Sequence, residues 1–386
     1  MNRRHAIPLG KILGIPIGLD WSWFLIFGLL TWSLALNYYP ARFDLWPGWL
    51  YWVVSASTAI ALFGSVLLHE LGHAVAAMGF KVPVRRITLM IFGGVAELGD
   101  EPPTAIGEFV IALAGPIVSV LTALVAGGIW LMTNALMTSL PALQPVMALF
   151  GYLALINVML AVFNMIPGFP LDGGRVLRAF LWGVLDSLSR ATRIAASVGR
   201  FIAFGFIALG LFQIFVGGFF NGLWTILIGF FLQGAANSEL RAQTIRDTLS
   251  HYRVEQVMTR NYAVVPMHLP LQTVVNQYMI LGGSRIFVVE EQGQIKGLVT
   301  PEDLKRINSN EWLFVTVGQA MSPVSEFRSI EPDAELWSAL RQMESNSVSR
   351  LLVMVGDQLH GILRREDVLG TLSMAQAGAF GTAHGR

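Results

Sequence analysis

Long apolar runs alternate with short polar breaks from residue 21 to about residue 236, and the pattern then gives way to short alternating stretches of ordinary soluble character. A hydrocarbon core demands about 20 apolar residues per helix, so the runs 21–38, 49–79, 108–132, 146–166, 201–216 and 219–236 predict about six spans. The last two runs are short, rich in glycine and phenylalanine, and joined by little more than Gly217 and Gly218. Two full crossings and a re-entrant pair both fit them. Trp21, Trp23, Trp46 and Trp49 stand at run ends, where tryptophan anchors at the lipid interface. Loops kept in the cytoplasm are enriched in lysine and arginine, which orients the bundle. Arg3, Arg4 and Lys11 precede the first run, Lys81, Arg85 and Arg86 follow the second, and Arg175, Arg178, Arg190 and Arg193 follow the fourth. Arg241 and Arg246 follow the sixth, whereas the opposite loops hold only Arg42 among basic residues. With an even number of crossings both termini are expected in the cytoplasm, and the cell membrane is the expected location.

The polar part repeats itself. VEQVMTR at 254–260 is echoed by VGQAMSP at 317–323, and SRIFVVEEQGQIKGLVTPEDL at 284–304 by SRLLVMVGDQLHGILRREDVL at 349–369, a period of about 64 residues. Each copy reads as a short strand, a helix such as 271–280, two strands joined at a turn (Gln292-Gly293, Gly356-Asp357) and a final helix. One copy is too small to cover its own sheet, so the two are expected to pack as one pseudo-symmetric unit. The expected organisation is a polytopic α-helical membrane domain at 1–240 and a soluble α/β tandem pair at 251–372, divided into 251–309 and 314–372. A disordered tail is expected at 373–386.

Composition agrees with insertion in a bilayer: 54% of residues are hydrophobic and 13% charged, and 49–68 carries no charge at all. The formal net charge of +1 offers no surface for nucleic acid. With no cysteine in the chain, disulfides and thiolate ligands are excluded, and any metal must be held by histidine and carboxylate. The N-terminal stretch has basic residues but no long apolar core before a small-residue cleavage site, so a removed signal peptide is not expected.

Candidate chemistry lies at the end of the second run, in HELGH at 69–73. Histidines four apart project from one helix face, so His69 and His73 can reach one Zn²⁺ while Glu70 addresses water beside it. Polar side chains are costly in lipid, which argues for an enclosed cavity around them. If the span enters near Trp49, some 20 residues at about 1.5 Å each bring His69 close to the cytoplasmic end. A catalytic zinc usually takes three protein ligands, and Glu97, Asp100, Glu101, Glu108 and Asp172 are the carboxylates within topological reach. Asp172 is preferred because Pro167, Gly168, Pro170, Gly173 and Gly174 break the helix around it, and irregular backbone at membrane depth is tolerated where it lines a polar cavity. The alternative is a turn that merely ends a helix. His5, His251, His268, His360 and His384 lie outside this constellation.

HELGH in the second run, with Asn164-x-x-Pro167-x-x-Pro170-Leu171-Asp172-Gly173 after the fourth, resembles the site-2 protease family of intramembrane metalloproteases over residues 1–236. The resemblance implies one Zn²⁺ held by His69, His73 and Asp172, Glu70 as general base, and Asn164 holding substrate or oxyanion. An interhelical hydrogen bond is the alternative for Asn164. IFGGVAEL at 91–98 resembles the family's membrane-embedded hairpin, and ALAGPIVS at 112–119 its glycine-proline element, with Ser119 near the place of a family asparagine. The repeated part resembles a pair of CBS domains, which some site-2 proteases carry behind the last span. That resemblance implies an adenine nucleotide contacted by Thr300 and Asp303 of TPED, whereas Arg364 stands where the second copy would need the threonine. Helix-end capping is the alternative for Asp303 and Asp367.

The expected activity is that of a zinc metalloendopeptidase cutting transmembrane segments near the cytoplasmic face, as in regulated intramembrane proteolysis. An unwound substrate would add as a strand at 87–98. The expected partners are a transmembrane protein substrate and the lipid bilayer, with no nucleic acid and a homodimer formed through the CBS pair. A transporter or channel with a CBS regulatory pair, and a non-proteolytic scaffold of the same fold, are the competing readings.

Overall fold

Leu13 and Gly14, both at positive φ (52° and 81°), make the tight turn that the twist of a two-stranded ribbon favours. They join β1 (Ile7–Ile12) to β2 (Ile15–Leu19) in this computed structural model, which describes residues 7–91, 93–281, 286–292, 294–356 and 358–383. Arg3, Arg4, His5, Phe92, Gly293, Asp357 and His384 therefore lie outside the described residues. The chain divides into two compact units, Met1–Arg241 and Ala242–Arg386.

In the first unit Asp20 caps α1 (Trp21–Ser33) by accepting from the Ser22 amide at 2.9 Å, and a π-helical turn, Leu34–Tyr38, continues it. Next come α2 (Gly48–Gly79), β3 (Val84–Met90) and β4 (Gly93–Leu98). β2 pairs in parallel with β3, which pairs antiparallel with β4, so the sheet order is β1-β2-β3-β4. A parallel neighbour needs a long crossover, and α1 and α2 supply it. Ile15, Ile17 and Ile87 pack on Ala74 of α2, which lays the sheet beside the HELGH turn.

Thr104 caps α3 (Ala105–Ala135), and α4 (Gln144–Asn164), α5 (Asp172–Leu185), α6 (Leu188–Phe215) and α7 (Phe219–Ser250) follow, α7 from residue 242 onward belonging to the second unit. Among the described residues five helices are long and apolar enough to cross a membrane: α2, α3, the stretch Pro141–Asn164, α6 and α7, with Ser22–Tyr38 as a shorter apolar helix. The two runs that looked short are helices of 28 and 32 residues. Arg190, Arg193 and Arg200 shorten the apolar run without ending the helix. Gly210 and Gly222 let α6 and α7 approach closely, since a Cβ on Gly210 would lie 2.6 Å from the Gly222 carbonyl oxygen.

After the last turns of α7, the second unit continues with α8 (Val254–Val257), β5 (Ala263–Pro266), α9 (Leu271–Thr273, continued by a π-helical stretch Val274–Leu281), β6 (Phe287–Glu291), β7 (Gln294–Val299) and α10 (Pro301–Lys305). α11 (Val317–Ala320), β8 (Ser322–Pro323), β9 (Ser329–Ile330), α12 (Leu336–Asn346), β10 (Arg350–Val355), β11 (Gln358–Arg364) and α13 (Arg365–Ala383) follow. α13 carries helix through most of the segment expected as a disordered tail. β5 is parallel to β6 and β6 antiparallel to β7, and the same relations tie β9, β10 and β11. Side chains alternate along β6: Phe287 and Val289 enter the first copy's core, while Ile286 and Val288 meet Leu352 and Ile362 of the second at a shared seam. The echoed motifs are exchanged. Val254 and Met258 lie in the core of the second copy, and Val317 in that of the first.

Candidate metal centre

The charge-free stretch of α2 places His69 and His73 one turn apart on the face turned to α3, both nearly inaccessible (4% and 5% exposed). His73 Nδ1 lies 2.7 Å from the Ile111 carbonyl oxygen, and His69 Nδ1 lies 2.8 Å from Ser119 Oγ. A carbonyl oxygen can only accept, so His73 Nδ1 carries the proton there and its Nε2 presents a lone pair. Asp172 opens α5. Leu171 and Gly174 close short turns onto the carbonyls of Gly168 and Leu171, and a Cβ on either Gly173 or Gly174 would collide with the backbone of 165–169. The helix N-terminus so anchored is a favourable place for a carboxylate.

The three side chains converge. Asp172 Oδ2 is 3.1 Å from His69 Nε2 and 3.2 Å from His73 Nε2, and the two Nε2 atoms are 3.2 Å apart. A tetrahedral zinc with ligand bonds of about 2.0–2.1 Å has ligand-to-ligand edges of about 3.3 Å. The donor set, its spacing and the outward-turned Nδ1 atoms therefore fit that ion. Gly115 of α3 leaves the space open, because a Cβ there would stand 2.7 Å from His69 Nε2 and overlap His73 Nε2.

Glu70 points to the sheet. Its side chain packs on Gly94 of β4, near Ala96 and within electrostatic reach of both histidines and Asp172. Asn164 ends α4, half-buried, without a hydrogen-bond partner for its side chain among the described residues. The interhelical hydrogen bond foreseen as its alternative is instead made by Asn157, whose Nδ2 lies 3.2 Å from Ser65 Oγ of α2. Among the other candidate carboxylates, Glu97 faces Arg86 at 3.8 Å and Glu108 is buried against Arg178. The only group of three metal-ligating side chains found among the described residues is His69, His73 and Asp172.

In the second unit a cleft of about 280 Å³ is lined by Thr300, Glu302, Asp303, Arg306, Ser322 and Arg350, among others. Asp303 Oδ2 accepts from Thr300 Oγ1 at 2.7 Å and Oδ1 from Ser322 Oγ at 3.0 Å, which aims the Thr300 and Asp303 side chains at one spot while capping α10. The Arg350 guanidinium, 2.6 Å from Glu302, holds that carboxyl below its ordinary range. The matching position of the second copy is filled from within: Arg364 Nε and Nη2 donate to Asp367 at 2.9 and 2.5 Å.

Helices of membrane-spanning length around a buried His-His-carboxylate cluster that could hold a metal ion, followed along the chain by a separate α/β repeat pair, define the class of an integral membrane protein. The profile of peptidase family M50 matches residues 57–143 and 136–206, and that of the CBS domain matches 254–310 and 317–373. A protein of Synechocystis sp. described as a candidate zinc metalloprotease is 33% identical over 97% of either chain. One from Mycobacterium tuberculosis, described in the same way, is 35% identical over 95% of this chain and 92% of its own. The site-2 protease from Methanocaldococcus jannaschii, a solved structure, covers 61% of this chain and 96% of its own at 32% identity, with a TM-score of 0.42. The chain belongs to peptidase family M50, the site-2 protease family of zinc metalloproteases, and carries a CBS pair.

Ser119, Gly115 and the Ile111 carbonyl complete the centre, yet a sequence reading centred on ligands has little access to them. Only Gly115 and Ser119 fall within the ALAGPIVS element, and both lie against the imidazoles; Ile111 precedes it.

Proposed function

We propose that the protein is an intramembrane zinc endopeptidase that cleaves transmembrane segments of membrane proteins close to the cytoplasmic face. The observation carrying this reading is the convergence of His69, His73 and Asp172 at 3.1–3.2 Å inside the bundle, with Glu70 alongside. Bound there, zinc supplies a Lewis acid for the scissile carbonyl and lowers the pKa of water. Glu70 takes the proton of the water that adds to the carbonyl carbon and delivers it to the amide nitrogen as the C–N bond breaks. Asn164, free to hydrogen-bond, holds the substrate backbone or the developing oxyanion.

A helical substrate must unwind before its carbonyl is accessible, and β4, the outer strand of its sheet, can take the unwound segment as a further strand. One observation supports this: Glu70 is packed on Gly94 of β4, so the general base lies at the strand that would hold the substrate. Depth supports the cleavage position. His69 is about 32 Å along α2 from Gly48 at 1.5 Å per residue, about one hydrocarbon thickness, and the enrichment of basic residues in the loops at that end supports a cytoplasmic side for it and for both termini.

In the CBS pair, Thr300 and Asp303 are assigned to an adenine nucleotide, one per chain, because Arg364 occupies the second position. Titration of the purified protein with AMP or ATP is expected to saturate at one nucleotide per chain and to fail with Asp303→Ala; two equal sites would overturn the assignment. Ligand binding regulates the protease only if affinity differs between two arrangements of the pair, and a homodimer through the pair is the proposed assembly. Glu70→Gln is the decisive variant for the reaction. Cleavage of a single-span substrate is expected to vanish while zinc content stays at that of the parent, and undiminished cleavage would refute the role of Glu70. Zinc retained with no cleavage by the parent protein against any single-span substrate would favour the scaffold reading.

A further inference from the structure

Arg178 stands two turns into α5, with a side chain 8% exposed, and takes no part in the chemistry above. Its Nε donates to Glu108 Oε1 at 2.6 Å, and Nη2 reaches the same oxygen. Nη1 lies 3.2 Å from Glu239 on α7, and the guanidinium carbon sits 5.1 Å from the ring centroid of Phe169, in the loop that leads into Asp172. Glu108 is itself 1% exposed, and its Oε2 has no partner among the described residues. Charges this buried are rare, and when stability alone is at stake an apolar pair of similar volume does as well or better.

What the pair holds together gives it a task. Glu108 lies on α3, three residues before Ile111, whose carbonyl orients His73, and on the helix that also carries Gly115 and Ser119. Arg178 lies on the helix that begins with Asp172. α3 thus holds the two imidazoles by two hydrogen bonds, leaves them room at Gly115, and grips the helix of Asp172 through an ion pair.

We propose that Arg178, anchored by Glu108, is a positioning residue of the metal centre: it fixes α5 against α3 and so sets where the Asp172 carboxylate meets the two imidazoles. The inference rests on the reading of that centre as a zinc site. It predicts that loosening the pair changes metal binding before it changes folding, because the carboxylate is misplaced while the bundle persists.

The test uses the full chain in detergent and three measurements: zinc affinity by chelator competition, ligand arrangement by the visible spectrum of the Co²⁺-substituted protein, and thermal melting. The variants are Arg178→Lys, which keeps the charge and loses the fork, the apolar pair Glu108→Leu with Arg178→Met, and His69→Ala. The paired variant is expected to melt as the parent does, with zinc affinity roughly 10–100-fold weaker, as for lost outer-shell partners, and with an altered cobalt spectrum. Arg178→Lys is expected to shift both in the same direction by a smaller factor. Parental zinc affinity and cobalt spectrum in the paired variant overturn the assignment, and if that variant does not fold, the same outcome in Arg178→Lys does so. If His69→Ala abolishes zinc binding while changes at 178 leave it intact, the positioning role fails and the zinc reading stands. If His69→Ala leaves zinc binding intact, the zinc reading itself fails.

Discussion

A metal centre of this kind depends on residues that donate nothing. Gly115 is the clearest: every other amino acid would put a carbon against the imidazole nitrogens that the proposed zinc site needs free. Gly115→Ala is therefore expected to weaken zinc binding by roughly tenfold to a hundredfold, on the scale of other losses around a ligand shell. Metal analysis after dialysis against a weak chelator would reveal it, and an undiminished zinc content would show that α3 can shift aside. His69, Glu70 and His73 were legible in the sequence because the i, i+4 spacing is a local geometric statement. Asp172 was legible only as the best of five carboxylates, since its approach to the histidines depends on the packing of α5, about 100 residues further along the chain. Ser119 and the Ile111 carbonyl were not legible as ligand-orienting groups, because a hydrogen bond to a ring nitrogen leaves no periodicity or composition signal.

At the level of elements, apolar runs located the spans but not their ends. α6 starts at Leu188, well before the apolar run at 201, because a helix persists through its arginines while the hydrophobic signal does not. α5 was not anticipated at all: its 14 residues are too few to cross a bilayer, and its arginines interrupt the apolar pattern. The α6–α7 hairpin relies on close approach, since a Cβ on Gly222 would stand 2.6 Å from Ile214 Cγ1. Gly222→Val is expected to force these helices apart at a cost of about 1–3 kcal/mol, the usual range for overpacking. Thermal melting in detergent measures it, and an unchanged midpoint would mean that the hairpin adds little to the unit's stability.

On the scale of the whole molecule, the division into a membrane part and a repeated polar part could be read from composition and from the echoes at 254–260 and 317–323. The exchange of those echoed motifs could not, because an echo states that two segments are alike and not which core each one enters. Nor does the polar part begin where the composition changes. Leu249, upstream of the repeat and fully buried, belongs to the second copy's core together with Val254, Met258 and Leu363. A fragment starting at residue 251 is thus expected to be less stable than one starting at 242 by about 2–5 kcal/mol, the range for deleting a large buried side chain. Urea denaturation of the two fragments tests this, and equal stabilities would mean that the core closes without Leu249.

Val254 and Met258 leave one repeat to complete the other, and Val317 returns the exchange. Neither copy could be lifted out as a cassette, for each would take with it part of its neighbour's interior. The pair is built as two interlocked leaves, each closing part of the other's core.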